Sequence, residues 1–282
     1  MSGKKGLGAF FDWLDKMDKR YLYLVVWFFV ILSNIVFLPF PIVPSPTTQT
    51  SINYINSLPE GSRVIYSCAF RISSWWSDKP ATMLVLNHCF MNNLKVIMVS
   101  FEPDGPSMLD EALTEIMEQW PDKKYGEDII HFGFFPGFEA AMAAFAGDIN
   151  TLTTTDYYGN TWKDMPIMEG INGGKDCQLI VDKTWWIADY IVRQFAAPYG
   201  VPVIYWGGAS YAIRALPYFS AGLVEGIFFG FYGLAEYESI MKMPGIGVKY
   251  LNTVNWGFLY IVILIVLGNL AYIHEKLAGR GE

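Results

Sequence analysis

The chain has 282 residues, 52% of them hydrophobic and 17% aromatic, with a formal net charge of −7. That apolar content exceeds what a soluble globular domain ordinarily needs and points to membrane segments, while the acidic balance and the lack of a clustered basic stripe exclude a nucleic-acid partner. Three cysteines, Cys68, Cys89 and Cys177, are an odd number without C-x-x-C spacing, so a disulfide framework is excluded, at most one pair can form, and buried free thiols are expected.

Residues 1–20 read as an amphipathic lead-in on the cytoplasmic leaflet, with Leu7, Phe10, Phe11, Leu14 and Met17 at helical spacing and Asp12, Asp15, Lys16, Asp18 and Lys19 elsewhere around the wheel. Residues 21–38 carry no charge, and 18 helical residues reach about 27 Å, close to the roughly 30 Å of a hydrocarbon core. The run is too long for a signal-peptide core and no A-x-A-like site follows it, so it reads as an uncleaved signal anchor. Lys4, Lys5, Lys16, Lys19 and Arg20 precede it and no Lys or Arg occurs from 39 to 62, which puts the N-terminus in the cytoplasm. Residues 39–48, with Pro39, Pro41, Pro44 and Pro46, read as a stiff extended connector.

Over 49–253, apolar runs suited to buried strands (63–67, 95–100, 128–133, 178–181 and 201–206) alternate with helical patterns (81–91, 106–120, 138–147 and 185–196). That alternation predicts an α/β domain with a doubly wound, mostly parallel sheet, Rossmann-like or flavodoxin-like. Residues 217–238 read as a glycine-rich helix with Gly222, Gly226 and Gly230 at four-residue spacing and Gly233 following. Three readings stand for it: packing on the domain's own sheet, a subunit interface, or a membrane-dipping helix, the last disfavoured by the charge of Glu225. Residues 254–273 form a second uncharged span, flanked by Trp256, Tyr260 and Tyr272, and residues 274–282 a cytoplasmic tail. Two spans with the N-terminus inside place the domain outside the cytoplasm.

Catalytic and cofactor motifs are absent. The segment from Gly170 to Lys175 has the wrong spacing for a phosphate loop and Asp176 where a hydroxyl belongs, no G-x-G-x-x-G follows a strand, and the turn after the first strand, CAFRISSWW, is bulky. Only His88, His131 and His274 are available as histidine ligands, and no metal site is expected. There is no G-x-S-x-G elbow, and no cofactor or catalytic residue is assigned. What remains is the crevice beyond the strand ends of an open α/β sheet, where 68–71, 101–104, 134–137, 182–183 and 207–210 fall. Arg71, Asp104 and Ser210 there, with Asp156 among the loop carboxylates, are the tentative ligand-binding residues; Gly222, Gly226, Gly230 and Gly233 are the tentative oligomer interface.

The stretches PFPIVPSP, INYINSLPEGSRVIYS, LKVIMVSFEPDGPS, YGEDIIHFGFFPGFEAAMAAFAGDI and PYFSAGLVEGIFFGFYGLAEYE together resemble a family of uncharacterised prokaryotic membrane proteins with two spans and one α/β domain. The resemblance covers most of the chain and implies that layout, no activity and no catalytic residue. The functional expectation is therefore a non-enzymatic structural or scaffolding subunit of an oligomeric membrane assembly, in the lipid bilayer with copies of itself or other membrane proteins. The alternative is a membrane-anchored small-ligand-binding or sensory domain that uses the crevice.

Overall fold

The computed structural model describes residues 10, 13, 17–38, 40–69, 71–183 and 188–277, with the backbone alone for residues 19, 188, 209–212, 275 and 277. Most of the amphipathic lead-in therefore lies outside the described residues. The described helices and strands run in the order α1 Lys19–Ser33, α2 Pro46–Ser57, β1 Arg63–Cys68, α3 Trp75–Met91, β2 Lys95–Ser100, α4 Gly105–Gln119, β3 Ile129–Phe134 and α5 Glu139–Gly147. They continue with β4 Leu179–Lys183, α6 Ala188–Ile191 (prolonged by a π turn, Val192–Ala196, and a last helical turn, Ala197–Tyr199), β5 Val203–Gly207, α7 Ala209–Ser220, β6 Gly226–Phe229, α8 Gly230–Met241 and α9 Ile246–Leu277. They fall into two compact units, Ile42–Val248 and the pair Met1–Pro41 with Lys249–Glu282.

The first unit is an α/β domain on a six-stranded sheet of order β3-β2-β1-β4-β5-β6, every pair parallel. Strand alternation sends Val64, Tyr66, Val96, Leu179, Val181 and Ile204 to a core shared with α2, α3, α4 and α8. It sends Ile65, Ile97, Ile130, Ile180 and Val203 to the opposite core, shared with α5, α6 and α7. Both faces are covered, which is why the strands read as continuous apolar runs rather than alternating ones. The order is the Rossmann one, not the flavodoxin order, with the reversal between β1 and β4.

Two sequence expectations need correction within this unit. Helix α2 starts inside the supposed connector: Ser45 accepts the Thr48 N–H at 3.4 Å as N-cap, and Pro46 takes the first helical position, where its missing N–H costs nothing. The larger correction concerns 217–238, which is a helix end, a strand and a new helix. Gly222 has φ +71° and closes α7 in a Schellman turn, with the Gly222 N–H bonded to the Phe219 carbonyl and the Leu223 N–H to the Tyr218 carbonyl. Gly226 opens β6 against α2, where an added Cβ would come within 2.6 Å of the Ser51 Cα. Gly230 has φ +57°, a value a right-handed helix interior excludes, and Gly233 packs on the Phe228 backbone from within α8. The four glycines thus share no helix face.

The second unit pairs α1 with α9. At 32 residues, about 48 Å long, α9 is the one described helix long and apolar enough to cross a membrane. Helix α1 stops at Ser33, five residues short of the expected span, because the Ser33 hydroxyl and the Asn34 amide both turn back onto the Val30 carbonyl and draw it out of the helical ladder. The chain then runs extended along α9: Asn252 donates to the carbonyls of Ser33 and Val36 and accepts the Leu38 N–H, and the Trp256 indole donates to Val36. Farther along, Tyr260 donates to the Leu22 carbonyl and Phe29 sits between Trp256 and Tyr260. The pairings 33 with 253 and 22 with 260 make the two helices antiparallel.

Candidate functional site at the strand-order reversal

In a doubly wound sheet the crossovers leave in opposite directions on either side of the reversal, so a crevice opens at the C-terminal ends of the two strands that flank it. Here those strands are β1 and β4, with Ser67 beside Asp182 and Cys68 beside Lys183 in register. Alternation along β4 points Asp182 to one face and Lys183 to the other. The Lys183 ammonium lies 3.3 Å from the carboxylate of Asp78, in the first turn of α3, with the two side chains 1% and 2% exposed. Ser74 and Ser77 donate to the two Asp78 oxygens at 2.7 and 3.3 Å, and the Lys183 ammonium also sits 4.3 Å from the centre of the Trp206 ring. Trp206 itself stacks on Phe228 of β6, and among the described residues no acceptor reaches its buried indole N–H.

On the other face the Ser67 hydroxyl donates to Asp182 Oδ1 at 2.8 Å, and among the described residues no donor reaches Asp182 Oδ2, although the residue is buried. Burial raises the Asp182 carboxyl to about 7, against the opposing pull of the Ser67 hydroxyl and the Lys183 charge. Burial likewise lowers the Lys183 ammonium, opposed by Asp78, and raises the Cys68 thiol out of the reactive range. With both carboxylates ionised the cluster carries one net negative charge.

Near the C-terminal ends of the strands several apolar side chains are exposed: Ile72 after β1 is 78% exposed, Trp76 in the first turn of α3 62% and Ile213 in the second turn of α7 70%, and the Trp76 ring lies 5.4 Å from that of Phe231 at the start of α8, tilted by 30°. Beyond β3, Phe138 is half exposed at φ +48°, a conformation that costs a bulky residue about 1–3 kcal/mol.

The structure brings together two of the residues proposed from sequence. Arg71 lies exposed in the turn after β1, and the Asp104 carboxylate, after β2, accepts the Ile72 N–H next to it at 3.4 Å. Ser210 has its backbone in the first turn of α7, after β5; its side chain is outside the description. Asp156 is elsewhere: it is buried beside the edge strand β3, where it accepts from the Tyr125 hydroxyl at 2.7 Å and from the N–H groups of Tyr158 and Asn160. Those donors organise the 156–160 turn. Sequence reasoning placed 182–183 at a strand end without singling the two residues out. The available signal was an Asp-Lys pair closing an apolar strand, matched by a lone carboxylate early in a helix. All three cysteines are free and buried. Among the described residues no three metal-ligating side chains converge. No protein-family model matches the chain, and no curated protein or solved structure matches it either.

Proposed function

We propose that this protein is a membrane-anchored small-ligand-binding domain, its ligand entering the crevice between β1 and β4. The observation that carries the reading is Asp182: a buried carboxylate at the site where such sheets take ligands, with one oxygen that no donor among the described residues reaches. An unmatched buried acceptor costs roughly 1–3 kcal/mol, and a ligand donor recovers it. The scaffolding reading drew on absent catalytic motifs, abundant aromatics and a glycine-lined helix face, and the last of these is not a common surface, because Gly222, Gly226, Gly230 and Gly233 are distributed over a cap, a strand and a helix start. The antiparallel pair of α1 and α9 supports a two-helix anchor, Lys4, Lys5, Lys16, Lys19 and Arg20 ahead of the apolar run support a cytoplasmic N-terminus with the domain on the far side of the membrane, and the family resemblance supports a prokaryotic inner membrane.

The test is a thermal-shift screen of the full chain in detergent micelles against nucleotides, sugars, amino acids and amines, repeated on Asp182→Asn. A ligand at a hundred times its Kd stabilises the folded state by about 2.7 kcal/mol, well within detection. Hits that disappear in the variant support the reading. A library without hits, or hits that shift both proteins alike, rejects it.

A further inference from the structure

We propose that this protein pairs with a second copy of itself inside the membrane, through the side of α9 that faces away from α1, with the Asn269 amides of the two copies bonded to each other. The proposal rests on α9 crossing the bilayer, which its length and composition allow, and is independent of the ligand-binding reading. A face, an amide and its complement carry it.

Asn252, Trp256 and Tyr260 turn one side of α9 to α1 and its C-terminal continuation. Asn269 follows Tyr260 by nine residues, about two and a half helical turns, and so stands on the opposite side. The residues that share that side recur at alternating spacings of four and three: Phe258, Val262, Ile265, Asn269 and Tyr272. Asn269 is exposed, and the other four are between 55% and 63% exposed. That spacing is the seam of a two-stranded coiled coil, in which a left-handed supercoil keeps the a and d positions of every heptad turned to the partner. Val262 and Asn269 take a, Phe258, Ile265 and Tyr272 take d, and Asn255 falls on a two heptads before Asn269. Because α9 is apolar all round, hydrophobicity singles out no face; the polar residues do. One asparagine at an a position is the device that sets register and strand number in such pairs, at some cost in stability.

The Asn269 Nδ2 donates to the Ile265 carbonyl at 2.7 Å, which turns the side chain back along the helix, toward the middle of the uncharged run 254–273 rather than outward to its nearer end. Among the described residues that is the one hydrogen bond of this side chain, so Oδ1 and the second amide hydrogen face hydrocarbon, where an unmatched polar group is expensive. A primary amide carries its own electrostatic complement, a positive N–H edge beside a negative oxygen. Copies inserted in the same orientation hold Asn269 at the same depth, and a twofold axis along the membrane normal sets the oxygen of one amide against the nitrogen of the other. Lipid tails offer neither donor nor acceptor, and a different membrane protein would have to present a polar group at that depth. A second copy always does.

The experiment uses the full chain. Membranes holding it are first washed with alkaline carbonate: retention in the pellet is expected, and release into the supernatant removes the span and the proposal with it. Energy transfer between copies carrying donor or acceptor dye on a C-terminal tag, reconstituted in liposomes over a range of protein-to-lipid ratios, then gives the dissociation mole fraction of the dimer. Asn269→Leu should raise it roughly 3- to 30-fold, the range for side-chain hydrogen bonds between membrane helices, and Asn269→Gln, which keeps donor and acceptor, should raise it less. In native membranes, Val262→Cys and Ile265→Cys should oxidise to disulfide-linked dimers, whereas Ile263→Cys and Leu270→Cys, 39% and 47% exposed but off the seam, should not; the wild type, whose three thiols are buried, sets the baseline. A monomer at every ratio, a dissociation unchanged in Asn269→Leu, or cross-links as strong off the seam as on it overturns the proposal. The cysteine pairs decide the face even if Asn269→Leu fails to fold.

Discussion

Replacing Lys183 by Met tests whether the pair at the strand-order reversal is the energetic centre that its burial implies. Methionine keeps most of the aliphatic contact with Trp206 and removes the charge, so the loss reports the attraction of the ammonium to Asp78 together with its contact to the Trp206 ring face. At 3.3 Å and an effective dielectric near 20, the Asp78–Lys183 attraction is about 5 kcal/mol, and breaking such a pair from one side costs roughly 3–5 kcal/mol because the surviving charge stays buried. Ser74 and Ser77 continue to donate to Asp78, which places the expected loss at the lower end, about 3 kcal/mol. Asp78→Asn combined with Lys183→Met removes both charges and should cost about 1 kcal/mol, giving a coupling energy of at least ~2 kcal/mol. Urea denaturation of the four proteins in micelles, followed by tryptophan fluorescence, measures each corner of the cycle. A Lys183→Met loss below about 1 kcal/mol, or a double variant as unstable as the sum of the singles, would refute the assignment of a strongly coupled buried pair.

Three further outcomes follow from the same physics. Gly226→Ala should destabilise the domain by about 1–3 kcal/mol, because the added methyl meets the Ser51 backbone rather than a flexible side-chain end, and faster amide exchange in α2 should accompany the lower Tm. Glu238→Ala should cost about 2 kcal/mol and speed exchange of the Gly245, Gly247 and Val248 amides, all of which donate to that buried carboxylate; Glu238→Gln, which keeps one acceptor oxygen, should lose less. The pH dependence has two opposing parts. Burial lowers His88 to about 4, so the unfolded chain binds its proton first and this contribution is lost as pH falls from 6.5 to 4. Asp182 is raised to about 7, so its contribution is present below pH 4 and is lost as pH rises to 7. The stability difference between wild type and Asp182→Asn, measured from pH 4 to 7, should therefore fall by up to about 4 kcal/mol; a flat or rising difference curve would show that Asp182 is not held protonated by burial.

The sheet was legible because every strand from β1 to β5 is buried on both faces and so writes itself as an apolar run. Strand β6 was not, because only four residues long and bracketed by Gly226 and Gly230 it mimics a small-residue helix ridge. Spacing alone cannot separate these cases: four-residue glycine periodicity on a helix and glycines at a cap, a strand start and a helix start give the same string, and what decides is a positive φ that no side chain announces. Helix α2 was hidden by proline, whose rule against helix interiors does not apply at the first position. The strand-end crevice was expected from topology, yet its central residues were not, since Asp78 and Lys183 are 105 positions apart and meet only after β1 and β4 lie side by side.

Helix α8 makes contacts at both of its ends and between them within the α/β domain. Its first turn carries Phe231, whose ring lies against that of Trp76, and its last carries Glu238, whose carboxylate gathers the Gly245, Gly247 and Val248 N–H groups that open α9. Gly233 lets α8 lie against the Phe228 backbone, and Tyr237 on the same helix is fixed to His88 at 2.5 Å, so α8 is held from α3 as well as from the sheet. Phe231, Tyr237 and Glu238 are thus carried on one 12-residue helix, and that helix cannot shift along its axis without straining the buried hydrogen bond of Tyr237 to His88.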